Sequence, residues 1–186
     1  MLKKFMRKQE VEDALEGKGD FIQINLLEMY LKQMPPIEMR KFAYLKLAKI
    51  YKQKKMFSKE AEAHKKAALN SVTFKEKQKY YLAESKAYIS DGKLDLSNKA
   101  LRKSMNEANS KEKKEIYEKM LEFYRKQIKE FEKQNKKEKA GKLYEKLIRM
   151  KIDEKEKESL KLKLMDLYER LGKIKELKLL KENKIV

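Results

Sequence analysis

Apolar residues in this chain recur in helical steps of three and four, and turn-forming residues cut the runs at nearly even intervals. The cuts fall at Gly19, at the stretch 54–58 centred on Lys55, at Gly92, at Asn135 and at Gly172. Their spacings are 36, 37, 43 and 37 residues. Each interval holds one apolar run before the cut and another after it. Ile116, Met120, Phe123, Tyr124, Ile128 and Phe131 lead up to Asn135, and Ala140, Leu143, Tyr144, Leu147 and Ile148 follow it. Leu160, Leu164, Leu167, Tyr168 and Leu171 lead up to Gly172. Such steps put one apolar stripe on each helix. The pattern predicts an all-α chain of about ten helices, paired into five antiparallel hairpins at about 1–36, 37–74, 75–110, 111–152 and 153–186.

Composition supports the all-helical reading. Five Gly and two Pro are too few for the turns of a β-sandwich or barrel, and Leu, Lys, Glu, Ala and Met favour helices. A hydrophobic fraction of 41% can fill a core. Helix-start signals separate the hairpins. Pro35-Pro36 precedes Ile37-Glu38, and Thr73 with Glu76 and Asp153 with Glu156 have capping-box spacing. The helix before Asn135 should start near residues 110–113 and run to about Lys133, which accounts for the long fourth interval. No stretch rich in Gly, Pro or Ser divides the chain, so a single domain is expected. One hairpin of about 35 residues cannot bury its stripe alone, whereas stacked hairpins share a continuous core. A single helix bundle without a true repeat is the other reading of the same pattern.

The hairpins resemble the tetratricopeptide repeat. Leu47-Ala48-Lys49-Ile50-Tyr51 is similar to the Leu-Gly-x-x-Tyr core of that motif's first helix, and Ala61, Ala67 and Ala68 follow as its small second-helix residues. In the third hairpin Tyr88, Gly92, Leu94, Ser97, Leu101 and Ser104 fall at the motif's offsets. The fifth has Leu164-Met165-Asp166-Leu167-Tyr168 with Gly172 and Ile174, and the first has Gly19, Phe21 and Pro36. Asn135, Ala140, Tyr144 and Leu147 match in the fourth, whose first helix is about two turns too long. The resemblance implies a right-handed α-solenoid that acts as a non-enzymatic binding scaffold, with a concave groove lined by the first helices. Carried over residue by residue, the groove positions are Phe42, Leu45, Lys49, Lys52 and Gln53, then Lys79, Leu82, Lys86 and Ile89. In the last two hairpins they are Arg125, Lys129 and Lys133, then Leu162, Asp166 and Arg170. Such a groove is cationic with apolar patches, which suits an acidic peptide or protein surface with hydrophobic anchors. The family's carboxylate clamp needs Asn where this chain has Lys49 and Ala83, so that function is not implied.

Charge points the same way and leaves one alternative. The chain carries a formal net charge of +19. Residues 1–36 are neutral overall, residues 37–74 and 111–152 carry +7 each, residues 75–110 carry +3, and residues 153–186 carry +2. An anionic partner is expected at the middle of the chain. A non-specific RNA- or ribosome-associated binder is the alternative. Against it, only six of the cations are Arg, the residue suited to bidentate phosphate and base-edge contacts. Tyr124, Tyr144 and Tyr168 read as core residues and not as base-stacking platforms.

Other classes of function find little support. There is no Cys and one His, so no cofactor, metal site or thiol chemistry is expected. His64 reads as a packing or surface residue, and Glu60/Glu62 and Glu154/Glu156 as solvated helix faces with Lys partners. No run approaches 18 apolar residues and no secretory signal precedes the first helix, so a cytoplasmic protein without a membrane span is expected. Leu177, Leu179, Leu180, Ile185 and Val186 are apolar for a last helix. They either cover the end of the core or support self-association.

Overall fold

The structure is a computed structural model that describes residues 2–182. Those residues form ten α-helices and no strand. The helices are α1 (Lys8–Leu15), α2 (Asp20–Lys32), α3 (Ile37–Gln53), α4 (Phe57–Leu69), α5 (Phe74–Asp91), α6 (Leu94–Asn106), α7 (Ser110–Lys133), α8 (Lys137–Ile148), α9 (Glu154–Arg170) and α10 (Ile174–Lys181). The all-α class and the helix number are those the apolar periodicity predicts. The long fourth interval is α7, 24 residues from Ser110 to Lys133.

Four of the five turns are copies of one backbone motif. Lys55, Gly92, Asn135 and Gly172 all adopt the left-handed conformation, with φ of 56°, 82°, 55° and 66°. At each, the following residue donates its N–H back to the carbonyl of an aromatic residue: Met56 to Tyr51, Lys93 to Tyr88, Lys136 to Phe131 and Lys173 to Tyr168, at 2.8–2.9 Å. The left-handed residue itself donates to Lys52, Ile89, Glu132 and Glu169 in turn. This pair of bonds satisfies the last carbonyls of the helix in a Schellman arrangement. The next helix then starts from a residue with ψ between 61° and 72° in all four cases. The first hairpin differs. Its left-handed residue is Gly17 (φ 67°), two residues before the expected Gly19, which is extended and caps α2. Replacing Lys55 by Gly should remove the penalty of a side chain at positive φ and raise stability by about 1 kcal/mol, read by urea unfolding. Asn135→Gly should gain less, because Asn tolerates this conformation.

Helix starts follow the predicted caps. The Thr73 hydroxyl accepts the Glu76 N–H at 3.2 Å, and the Asp153 carboxylate accepts the N–H groups of Lys155 and Glu156. A reciprocal box that the sequence reading did not find opens α7. Asn109 Oδ1 accepts the Glu112 N–H at 3.0 Å, and the Glu112 carboxylate accepts the Asn109 N–H at 2.9 Å.

The chain divides into two compact units, Met1–Ile116 and Tyr117–Val186, and no Gly- or Pro-rich linker marks the division. The core of the first unit joins Leu2, Val11, Leu15, Leu27, Tyr30, Ala43, Leu47 and Tyr51, with a second patch of Ala67, Ala68, Tyr80 and Tyr81. The second buries Met120, Tyr124, Ile128, Phe131, Leu143, Tyr144, Leu147, Ile148, Leu164 and Tyr168. The tyrosines read as core residues are therefore buried. In α10, Leu180 is buried, while Ile174 and Leu179 are exposed. Ile185 and Val186 lie outside the described residues.

Candidate functional site

The groove positions of the first unit lie on α3 and α5, and their environments differ. Lys49, Lys52, Gln53 and Lys79 are exposed. Phe42 is half-buried against the core, with the Lys46 ammonium 5.4 Å from its ring centroid. Leu45 is half-buried against the Ala67–Tyr81 patch. Leu82 and Lys86 are half-buried, and the Lys79 ammonium lies 5.8 Å from the Tyr80 ring. Ile89 is 0% exposed. It therefore offers nothing to a partner, contrary to the expectation of an apolar contact there. Helix α5 packs against both α4 and α6.

Other cations near these positions are engaged by carboxylates. Lys46 pairs with Glu12, and Lys54 pairs with Asp20 at 2.7 Å. Lys41 bridges Glu38 and Glu76, the latter at 2.8 Å, so that α3 is tied to the first turn of α5. The bond to Glu76 raises the Lys41 pKa, and the Lys41 ammonium holds the Glu76 carboxyl below its ordinary value. In the second unit the same device recurs. The Arg125 guanidinium makes two bonds to Glu156, at 2.6 and 2.8 Å, and lowers its pKa. Glu76 and Glu156 occupy the same position relative to their turn glycines, so each is a structural tie between consecutive first helices. Arg125 was expected to meet a partner, and its charge is instead matched within the chain. Lys129 and Lys133 on α7 are exposed, as are Leu162, Asp166 and Arg170 on α9, where Arg170 bonds Asp166 at 2.9 Å.

A second repeated tie uses tyrosine. Tyr51 of α3 donates its hydroxyl proton to Glu28 of α2, and Tyr168 of α9 donates to Glu145 of α8. Both tyrosines are the aromatic residues of the repeated turn. Burial and the neighbouring carboxylate push both phenols well above their ordinary range.

Glu60 does not match the solvated-face reading, and Glu84 is a second buried glutamate. Glu60 on α4 is 6% exposed and Glu84 on α5 is 4% exposed. Burial pushes both carboxyls up to about 7; Lys52 opposes this at Glu60, and Lys103 and Lys65 at Glu84. His64 lies one turn beyond Glu60, with Nε2 3.8 Å from its carboxylate and a buried Nδ1 without a hydrogen-bond partner. Burial, with Lys52 nearby, lowers the imidazole to about 4. Of the other carboxylates read as solvated, Glu156 is half-buried and bonded to Arg125, whereas Glu62, 3.9 Å from Lys66, and Glu154, 3.1 Å from Lys157, do face water.

Sequence reasoning also missed a cavity in the first unit. About 420 Å³ of space lies over α3 between α2 and α4. Tyr44, Leu47 and Tyr51 form its floor, Glu28, Leu31 and Lys32 one wall, and Lys59, Glu62, Ala63 and Lys66 the other. The signal was the alanine content of α4, where Ala63, Ala67 and Ala68 stand at the positions held by the larger Leu143, Leu147 and Ile148 in α8. Among the described residues no cluster of His, Asp or Glu is placed to hold a metal ion, and no helix is long and apolar enough to cross a membrane.

No protein-family model matches the chain, and no curated protein or solved structure matches it either.

Proposed function

We propose that this chain is a non-enzymatic adaptor built of tetratricopeptide-like hairpins stacked as a right-handed solenoid, and that its ligand is an acidic peptide or protein segment. The observation that supports this is the set of exposed lysines on the first helices. Lys49 and Lys52 stand one turn apart on α3, and Lys79 stands on α5, with no carboxylate at ion-pairing distance among the described residues. Nearby Lys41, Lys46 and Lys54 are all paired, whereas these three make no such pair, although Lys52 also faces Glu60. Chemistry gains no support from His64, which is half-buried with its pKa lowered to about 4. The net charge of +19 favours a second reading, non-specific binding to RNA phosphates, which Lys serves as well as it serves carboxylates.

One experiment tests both readings. A labelled acidic peptide containing leucines and a labelled single-stranded RNA of equal charge are titrated with the chain at low and moderate salt. The adaptor reading expects peptide binding that survives moderate salt, because apolar contacts contribute. The variant Lys49→Glu, Lys52→Glu should weaken it at least tenfold without changing helicity. Retained peptide affinity in that variant overturns the lysine contact. Binding of RNA alone, lost steeply with salt, replaces the adaptor reading by the RNA reading.

A further inference from the structure

We infer that the cavity over α3 is an anchor site for one apolar side chain of leucine or phenylalanine size, presented by an acidic peptide whose carboxylates meet Lys32, Lys59 and Lys66. The inference rests on the acidic-ligand reading above. It adds a contact on another face of α3, since Tyr44, Leu47 and Tyr51 lie opposite Lys49 on the helical wheel.

The repeat itself shows why the space exists. Counted from the left-handed turn residue, Ala63 of α4 occupies the position of Leu143 in α8, Leu180 in α10 and Ala100 in α6, so the repeat fills this position with either a leucine or an alanine. Both leucines are buried, at 1% and 3% exposure. In α4 the leucine is missing, and the volume it would fill remains open beside the Leu31 and Leu47 side chains. The floor is held in place and does not fold inward: the Tyr51 hydroxyl is bonded to Glu28 at 2.8 Å. An apolar side chain entering from a partner would remove this surface from water, the main driving force for such an anchor.

The rim determines which partner fits. The Lys59 ammonium lies 5.6 Å from the Tyr51 ring centroid, and that of Lys66 lies 5.7 Å from the Tyr44 ring centroid. Lys32 stands on the facing wall with no carboxylate partner among the described residues. Of the two acidic groups on the rim, Glu28 is engaged by Tyr51 and Glu62 lies beside Lys66. Three ammonium groups therefore surround an aromatic and aliphatic floor. That arrangement favours a carboxylate on either side of a buried apolar residue, and it disfavours a basic or neutral peptide. Residues 37–74, which supply most of the site, carry a net +7.

The test uses the full chain, labelled with ¹⁵N and followed by NMR. The probe is an acetylated and amidated pentapeptide, Glu-Asp-Phe-Asp-Glu, and its control has Ser in place of Phe. The Phe peptide is expected to shift the amides of Tyr44, Tyr51 and Ala63, and the Ser peptide to bind at least tenfold more weakly. Ala63→Leu should fill the cavity, leave the fold intact and weaken the Phe peptide at least tenfold, whereas Lys49→Glu, Lys52→Glu should change this short probe less than twofold. If Ala63→Leu fails to fold, Lys32→Glu, Lys66→Glu replaces it, with the same loss expected. Unchanged affinity in the folded cavity variant, or equal binding of the Ser peptide, overturns the anchor. Shifts confined to the Lys49 and Lys52 side overturn the anchor and leave the acidic-ligand reading standing. No shift with either peptide overturns both.

Discussion

Between pH 5.5 and pH 8 the chain is expected to lose about 2–3 kcal/mol of stability, and the variant Glu60→Gln, Glu84→Gln is expected to reverse that trend. The folded carboxyls titrate near 7, above the ordinary 4.5, because burial disfavours their charge. Between those values the folded state keeps protons that the unfolded chain has released. The stability from each glutamate is therefore full below about 4.5 and is lost as the pH rises through 7. His64 acts in the opposite sense. Its imidazole is held down to about 4, so its contribution is full above the ordinary 6.5 and is lost as the pH falls toward 4. Over this interval the two glutamates outweigh one histidine. The groups facing Glu60 are Lys52 and His64; those facing Glu84 are Lys65 and Glu62 on α4 and Lys103 on α6. The lysines soften the penalty without cancelling it. In the double glutamine variant only His64 remains, and stability should rise with pH by about 1 kcal/mol over the same interval. Urea unfolding followed by circular dichroism at the two pH values checks this. A wild-type chain that is more stable at pH 8 than at pH 5.5 would contradict it.

Leu147→Ala is expected to destabilise the second unit by about 3–4 kcal/mol, through lost burial and the cavity left behind. Leu147 is 0% exposed on α8, one turn from the buried Leu143, and Tyr124, Leu164 and Tyr168 are also buried in this unit. The site has little room to relax. Helix α8 presses on α9 through Gly141, where a Cβ would lie only 3.3 Å from Leu167 Cδ2. At the same position relative to the turn, α4 has Ala67, also 0% exposed. Enlarging it is the mirror experiment, and Ala67→Leu should cost about 1–3 kcal/mol by overpacking. Amide exchange should localise the Leu147→Ala loss to Tyr117–Val186. Equal loosening of residues 2–116 would contradict the description of two compact units.

Much of the fold was legible in the sequence, and the reason is local. Gly92, Asn135 and Gly172 mark turns because few residues tolerate positive φ, and the helices between them show their period directly. Lys55 is the instructive exception. Its side chain is not a usual turn former, yet the stretch 54–58 reads as a break between apolar runs, and the backbone there repeats the same geometry. The candidate site was less legible. Whether a lysine is free depends on residues far away in the chain. Lys41 is taken by Glu76 and Arg125 by Glu156, whereas Lys49 and Lys52 make no such pair. Glu60 and Glu62 look alike in sequence, and only the packing of α4 puts one inside and the other outside.

The interval of about 37 residues, the helical stripes and the lysine excess belong to the amino-acid order alone, because they follow from steric limits and hydrogen bonds within a few residues and from charge that needs no folding. The tertiary structure decided the burial of Ile89, the raised titration of Glu60 and Glu84, and the space beside Ala63. Each depends on how closely a neighbouring helix approaches, which is set by the summed volumes of side chains on both helices and is carried by no single segment of the chain.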